Sequence, residues 1–323
     1  MKFARRLLLV AMLASGFAPP AMSEAPEKLR VGTPEAGGFN FAMLDAGIEL
    51  KIYEKLGLDI ERTDLVGGAK LHQAVAAGAI EVALGGGTDL VFLVKGSPEK
   101  AVAVLGTSPA NLAVLVRSDS PIKTIGDLKG KRIGVTTVGS LTSWFATEIS
   151  RREGWGVDGV TLVYVGGNSA MLAGLATDTI DAAAGGLESA YIHRDEGKYR
   201  MLVKGGEFVP DFVASIIYAS DATISQRPDA LRRFLKGWFE AVRYLRDHKP
   251  EAIAIMSKVM AVKPDVAASI YDDEMPSFPV DGHFDMRSLR IVEQALVDFG
   301  RVDRMPDNSV LLTEAYLPPS DQR

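Results

Sequence analysis

The chain has 323 residues, a formal net charge of −5 and no cysteine. The missing thiols exclude disulfide staples, thiolate metal sites and a cysteine nucleophile. An acidic balance argues against nucleic acid or an anionic membrane as partner, and four scattered histidines without HxxxH or HxH spacing lead us to expect no metal and no cofactor.

Residues 1–23 read as a secretory signal peptide. Lys2, Arg5 and Arg6 precede an apolar stretch from Leu7 to Ala14, and Ala21-Met22-Ser23 offers small residues for cleavage before Glu24. The apolar stretch falls short of the about 20 residues that a spanning helix needs. Removal leaves 300 residues and moves the net charge to −8. The mature part then opens with a strand at Leu29-Arg30-Val31, a glycine-rich loop from Thr33 to Asn40 and an amphipathic helix from Phe41 to Leu56. Gly57 ends that helix before a strand at 58–61. Gly67-Gly68-Ala69 leads into a helix closed by Gly78, the strand Ile80 to Leu84 follows, and Gly85-Gly86-Gly87-Thr88 opens another helix through Leu90 and Val94. Strands alternating with helices through short glycine loops predict a mostly parallel α/β sheet.

Two continuous β-rich runs, Val102 to Gly106 and Asn111 to Val116, separate this half from a second one built on the same plan. A helical turn from Ile125 to Leu128 enters the basic turn Lys129-Gly130-Lys131-Arg132 and the strand Arg132–Val135, and a Gly/Ser/Thr loop then opens the helix 142–152. Such a loop leaves the first N–H groups of the helix facing whatever lies in front of them. The strand Val160–Val165, the loop Gly166-Gly167-Asn168-Ser169, the helix 170–176, the strand Thr179–Ala184 and a Gly185-to-Glu188 loop follow. After a β-rich run from Phe212 to Ala219 the chain turns helical over 230–247, 251–260, 264–274 and 285–299, the first with Leu231, Phe234, Leu235, Trp238, Val242 and Leu245 on one stripe suited to a core. The repeated order places glycine loops at the carboxyl ends of strands in both halves, where open α/β sheets bind ligands. It implies two lobes facing across a cleft: 24–114 as the first part of lobe one, 115–217 as lobe two, and 218–323 as a return to lobe one.

The chain resembles the periplasmic substrate-binding proteins of ABC importers, in particular the nitrate/sulfonate/taurine-type family. The resemblance rests on Tyr53-Glu54-Lys55-Leu56-Gly57-Leu58-Asp59, on the Gly78-to-Leu84 segment before its glycine loop, and on Gly126 through Val135. It covers the mature chain and implies a type II periplasmic-binding-protein fold, a periplasmic location, a small-molecule ligand, a monomer, and delivery to an ABC permease in the inner membrane. Carried onto matching positions, it implies ligand contacts at Glu35, Gly38, Phe39, Asn40, Gly68, Ala69, Gly86, Gly87 and Thr88 in the first lobe. In the second it implies Gly139, Ser140, Leu141, Thr142, Asn168 and Glu188, with hinge strands near 112–116 and 216–219.

Each residue has a plainer reading. Ser140 or Thr142 caps its helix whether or not a ligand is present. Three successive glycines at 85–87 allow a turn, and also a close approach of the backbone to something. Phe39 and Phe41 straddle the first loop, so at most one faces the cleft, and the flanking glycines make Phe39 the better candidate. Trp144 is open between core and cleft wall, and Asn168 suits an Asx turn. Glu35 and Glu188 could pair as acid and base, but their separation favours local roles; if both face the cleft, the ligand carries a donor or a positive group. The loops offer no arginine, which weighs against a small anion and towards a neutral or aromatic organic ligand. The expected function is therefore solute capture without catalysis. The alternatives are a dehydratase-like periplasmic enzyme of the same fold, or a binding protein for a TRAP-type permease or a sensor.

Overall fold

The computed structural model of the protein describes residues 25–193 and 196–319; the segment read as a signal peptide lies outside them. Ten strands form two five-stranded sheets. The first sheet takes β1 (Glu27–Thr33), β2 (Leu58–Asp64), β3 (Val82–Gly86) and β4 (Glu99–Gly106) before the chain leaves it. The second takes β5 (Leu112–Arg117), β6 (Arg132–Val135), β7 (Thr161–Tyr164), β8 (Ala182–Gly186) and β9 (Tyr199–Lys204), and β10 (Ser215–Ser220) returns to the first.

The strand orders β2-β1-β3-β10-β4 and β7-β6-β8-β5-β9 are position-for-position equivalents. In the first, β1 runs parallel to β2 and β3, with Val31 opposite Arg62 and Val82. In the second, β6 runs parallel to β7 and β8, with Gly134 opposite Val163 and Ala183. One strand per sheet is antiparallel to its neighbours, β10 with Ile217 opposite Leu84 and β5 with Val114 opposite Ala184. These are the strands by which the chain arrives from the other sheet, so each enters from the opposite end. Residues 112–116 and 216–219, expected as hinge strands, lie inside β5 and β10; the segments that pass between sheets are 107–111 and 205–214.

Local chemistry sets the departures from the sequence reading. The helix expected over 41–56 is two helices, Phe39–Glu49 and Ile52–Lys55, because Lys51 takes a left-handed φ of 56° between them. Gly185-to-Glu188 is not all loop: a helix begins at Leu187. The strand β9 carries no alternating pattern, every residue of Tyr-Arg-Met-Leu-Val-Lys being half-buried at a sheet edge.

Three apolar clusters hold the molecule. One packs the Phe39–Glu49 and Pro228–Asp247 helices on the first sheet, with Phe234, Leu235, Trp238 and Phe239 fully buried. In it Tyr53 stacks on Phe234 at 5.6 Å and fits against Gly47 and Gly237, where a Cβ would lie within 2.7 Å of its ring. A second cluster is continuous between the lobes, running from Leu71 and Val104 through Phe212 and Trp144 to Leu289 of the Met286–Asp298 helix. The third backs the second sheet. Among the described residues no helix is long and apolar enough to cross a membrane.

Candidate functional site

The carboxyl ends of β1, β3, β6 and β8 open into a cavity of about 550 Å³ between the two lobes. Four helices point their N-termini at it: Phe39–Glu49, Gly68–Ala76, Leu141–Arg152 and Asn168–Ala176. Each leaves unpaired N–H groups and a partial positive charge at its start. The lining holds no lysine or arginine and three carboxylates, Glu35, Asp64 and Asp89.

The second-lobe wall is a set of hydroxyls that hold each other. Ser140 accepts from the Ser143 N–H at 3.2 Å and donates to the Thr137 carbonyl at 2.8 Å. Thr142 Oγ1 accepts from the Thr136 N–H at 2.9 Å and lies 3.0 Å from Ser140 Oγ. Capping is thus the work of Ser140, and Thr142 ties the helix start back to the end of β6. Asn168 does the same for the β8 loop: its carbonyl accepts from the Gly186 N–H at 3.0 Å, and its amide approaches Glu188 at 3.4 Å.

The first-lobe wall is glycine and carboxylate. Gly67, with φ 83°, lets the backbone pass Thr137 of the opposite lobe, where a Cβ would sit 3.1 Å from the Thr137 methyl. Gly87 is pressed so closely on the segment passing between the sheets that a Cβ would lie 1.8 Å from the Val213 carbonyl oxygen. Asp89 accepts from the Gly86 N–H at 2.9 Å, and Tyr218 donates to the Gly86 carbonyl at 2.7 Å. Behind Asp89 stands His72, buried, with Nδ1 2.9 Å from Glu99. Its Nε2 lies 3.2 Å from Asp89, close enough for an ion pair though off the line of a well-formed hydrogen bond. Burial alone pulls the imidazole pKa down, but hydrogen bonds and charge from Asp89 and Glu99 outweigh it and raise it to about 9.

Of the expected residues, Glu35, Asn40, Gly68, Gly86, Ser140, Leu141, Thr142 and Asn168 line the cavity. Ala69 and Gly38 stand just outside the lining, and Gly38 is the N-cap that Glu35 folds over. Phe39 is a correction: its ring is fully buried in T-shaped contact with Tyr271 and Phe278, while Phe41 faces the cavity. The helix begins at Phe39 itself, so that residue falls on the face packed against the Pro264–Glu274 helix. Gly87 is a backbone-to-backbone contact instead of a ligand approach. Thr88 and Gly139 line a separate cavity of about 320 Å³ beside the Met286–Asp298 helix. Trp144 stacks on Phe212 at 3.7 Å in the core between the lobes.

Glu188 lies behind the wall, its carboxyl folded over Gly186. Burial, then the neighbouring Glu35, pushes its pKa up to about 8. Burial also raises Glu35, and Glu274, with neither carboxyl oxygen bonded, stands well above the usual range through burial and the charges of Glu188 and Glu35. Asp64, Asp89 and His72 escape the sequence reading. Asp64 closes β2 beyond its expected end and is held by Thr33 and Arg62 at 2.6 and 2.8 Å, while Asp89 follows its glycine loop directly and could have been found as a cap for it. Among the described residues no group of histidine and carboxylate side chains is arranged to hold a metal.

The model of the NMT1/THI5-like family matches residues 39–252. An Escherichia coli (strain K12) protein named for aliphatic sulfonate binding is 24% identical over 280 residues, covering 84% of each chain. The alkanesulfonate-binding protein SsuA of Xanthomonas axonopodis pv. citri, solved with MOPS bound, superposes with a TM-score of 0.73 at 18% identity, over 88% of this chain and 96% of that one. The desulfurization enzyme DszB shares the architecture at a TM-score of 0.62 and 17% identity, over 90% of this chain and 97% of its own. The likeness to these structures establishes the type II periplasmic-binding-protein fold. With more than half of its length inside that family model, the chain belongs to the NMT1/THI5-like family.

Proposed function

We propose that this chain is the solute-binding component of an ABC importer, working in the periplasm and handing a small organic ligand to a membrane permease. The observation that carries this reading is the cavity between the lobes, ringed by four helix N-termini and closed on one side by glycine backbone. The helix ends suit an electron-rich head such as a sulfonate or carboxylate, in line with the relatives named for sulfonates. The ligand bridges the lobes, and closure is favoured because the closed state gains contacts with both.

A second reading, acid catalysis in the same cleft, is favoured by the carboxyl of Glu35, which lines the cavity and is raised by burial, and by the enzyme that shares the fold. One experiment separates the two. Sulfonates, aromatic acids and pyrimidines are screened by thermal shift on residues 24–323, and the bound compound is recovered by mass spectrometry. A ligand at about a hundred times its Kd stabilises by about 2.7 kcal/mol, which reads as several degrees of Tm, and is expected back unchanged. Chemical conversion of the bound compound would overturn the transport reading.

A further inference from the structure

Asp89 is more than nine-tenths buried, yet it lines the cavity. Its two oxygens differ. Oδ2 is occupied, taking the Gly86 N–H at 2.9 Å and facing His72 Nε2 at 3.2 Å. Oδ1 accepts no hydrogen bond among the described residues and lies over Gly68 at the start of the next helix, where a Cβ would stand 2.6 Å from it. The glycine there is what leaves this oxygen room, since any side chain would displace it.

The carboxylate is also held in place. His72 sits between Asp89 and Glu99, stacks on Phe92 at 4.9 Å and meets the edge of Tyr218 at 5.0 Å. One imidazolium between two carboxylates leaves a net negative charge on the trio. Nothing basic in the lining competes for it, and Glu35 on the same wall has no hydrogen bond to its carboxyl either. A purely anionic ligand would set its charge against Asp89 and Glu35 on this wall, with only helix N-termini to offset it. A ligand with a positive nitrogen finds there an open acceptor fixed in direction.

We propose that Asp89, positioned by His72, is the specificity-determining carboxylate of the cleft and takes a cationic nitrogen of the ligand. This rests on the reading of the cleft as a ligand-capture site and names one half of what it captures: a dipolar compound, its electron-rich head at the helix N-termini and its ammonium or amidinium at Asp89 Oδ1. Asp89 is the contact; His72 acts only through it.

The test uses matched probes that differ in a single group, taurine against propanesulfonate and aminomethylbenzoate against ethylbenzoate. Calorimetry on residues 24–323 is expected to give the amino member of at least one pair an advantage of about tenfold or more, the scale of one charge-assisted hydrogen bond. Asp89→Asn, which keeps an oxygen for the Gly86 N–H, should shrink that ratio towards one. His72→Gln should shrink it too, whereas a merely structural role would weaken both members alike and leave the ratio standing. Glu35→Gln is the second variant should Asp89→Asn fail to fold, and it should lower the ratio in part. Equal binding within each pair, preference for the methyl members, no binding by any member, or an undiminished ratio in Asp89→Asn overturns the proposal. If the wider screen still finds a ligand that returns unchanged, the capture reading stands without it; if no compound binds at all, both fall.

Discussion

The two glycine loops that face each other across the cleft occupy equivalent places in equivalent sheets, but they meet different neighbours. After β3, Gly87 abuts the backbone of the connecting segment at Val213 and donates to the Ala214 carbonyl at 2.7 Å. At the end of β8, Gly186 abuts the carboxyl tip of Glu188, 2.4 Å from where its Cβ would be. A side-chain tip can rotate away; the backbone of the segment passing between the sheets cannot move without shifting the strand it feeds. At Gly87 the first-lobe loop thus meets backbone, while at Gly186 the second meets a side chain that can yield, although the residue after it, Leu187, donates to the Asn111 carbonyl at 2.8 Å just as Gly87 does to Ala214. One wall of the clamp is rigid and carboxylate-bearing, the other adjustable and rich in hydroxyls.

The largest expected effect breaks or confirms this contrast directly. Gly87→Ala forces the segment at Val213 away from the turn after β3 and should cost on the order of 3 kcal/mol or more, while Gly186→Ala should cost about 1 kcal/mol. Urea unfolding of the two variants gives the comparison, and equal losses would remove the asymmetry.

Much of this architecture was legible in the sequence because it depends on local rules. Glycine loops at strand ends, the apolar stripe from Leu231 to Leu245 and the Ser140 cap all express periodicity or capping, and the structure places them accordingly. The residues that escaped are set by distant partners. Phe39 and Phe41 are indistinguishable until the helix start is fixed to one residue and the Pro264–Glu274 helix is packed against it. His72 reads as one more position on an amphipathic helix; only the pairing of β4 with β10 and the turn after β3 bring Glu99 and Asp89 to its two nitrogens. The mixed direction of each sheet likewise follows from the crossover and not from any strand's own composition.

The walls also titrate differently, which sharpens the comparison. His72 has its pKa raised from 6.5 to about 9, so its stabilisation is fully present below 6.5 and is lost as pH rises through 9. Glu188 has its pKa raised from 4.5 to about 8, so burying it costs nothing below 4.5 and costs most above 8. Both slopes fall with pH, over 6.5 to 9 for His72 and 4.5 to 8 for Glu188, windows that overlap between 6.5 and 8. Glu188→Gln should flatten part of the decline between 4.5 and 8, the rest belonging to Glu35, and leave the variant more stable than the parent at the upper end. His72→Gln should flatten the decline from 6.5 to 9, so the two variants are told apart below 6.5 and above 8. Unfolding free energies across this range check the assignment, and a Glu188→Gln profile parallel to that of the parent would show the carboxyl to be ordinary.

A smaller effect tests the adjustable wall. The helices that start in the first lobe are capped by Gly38 and Gly67 without a side-chain bond, whereas Ser140 supplies one. Ser140→Ala should therefore cost about 1 kcal/mol of stability. It should also weaken ligand binding, because the Thr142 hydroxyl loses its neighbour at 3.0 Å and the loop its brace at Thr137. Loss of stability without loss of affinity would assign Ser140 to capping alone.

The smallest effect concerns the link between the lobes. Lys204 at the end of β9 meets Asp273 of the Pro264–Glu274 helix at 2.8 Å, and the Tyr191 hydroxyl donates to the same carboxylate. Both partners of the ion pair remain about a quarter exposed, so solvent and salt screen it. Such a pair is worth about 0–1 kcal/mol, far less than the apolar cluster continuous between the lobes through Trp144 and Phe212. Lys204→Met should accordingly lower stability by no more than about 0.5 kcal/mol, with the difference vanishing at high salt. Asp273→Asn should lose more, since it also weakens the Tyr191 bond. A double-mutant cycle on Lys204 and Asp273 isolates the pair. A coupling energy well above about 1 kcal/mol would mean that the lobes are held by charge at this edge, and that the rigid wall owes part of its position to the adjustable one.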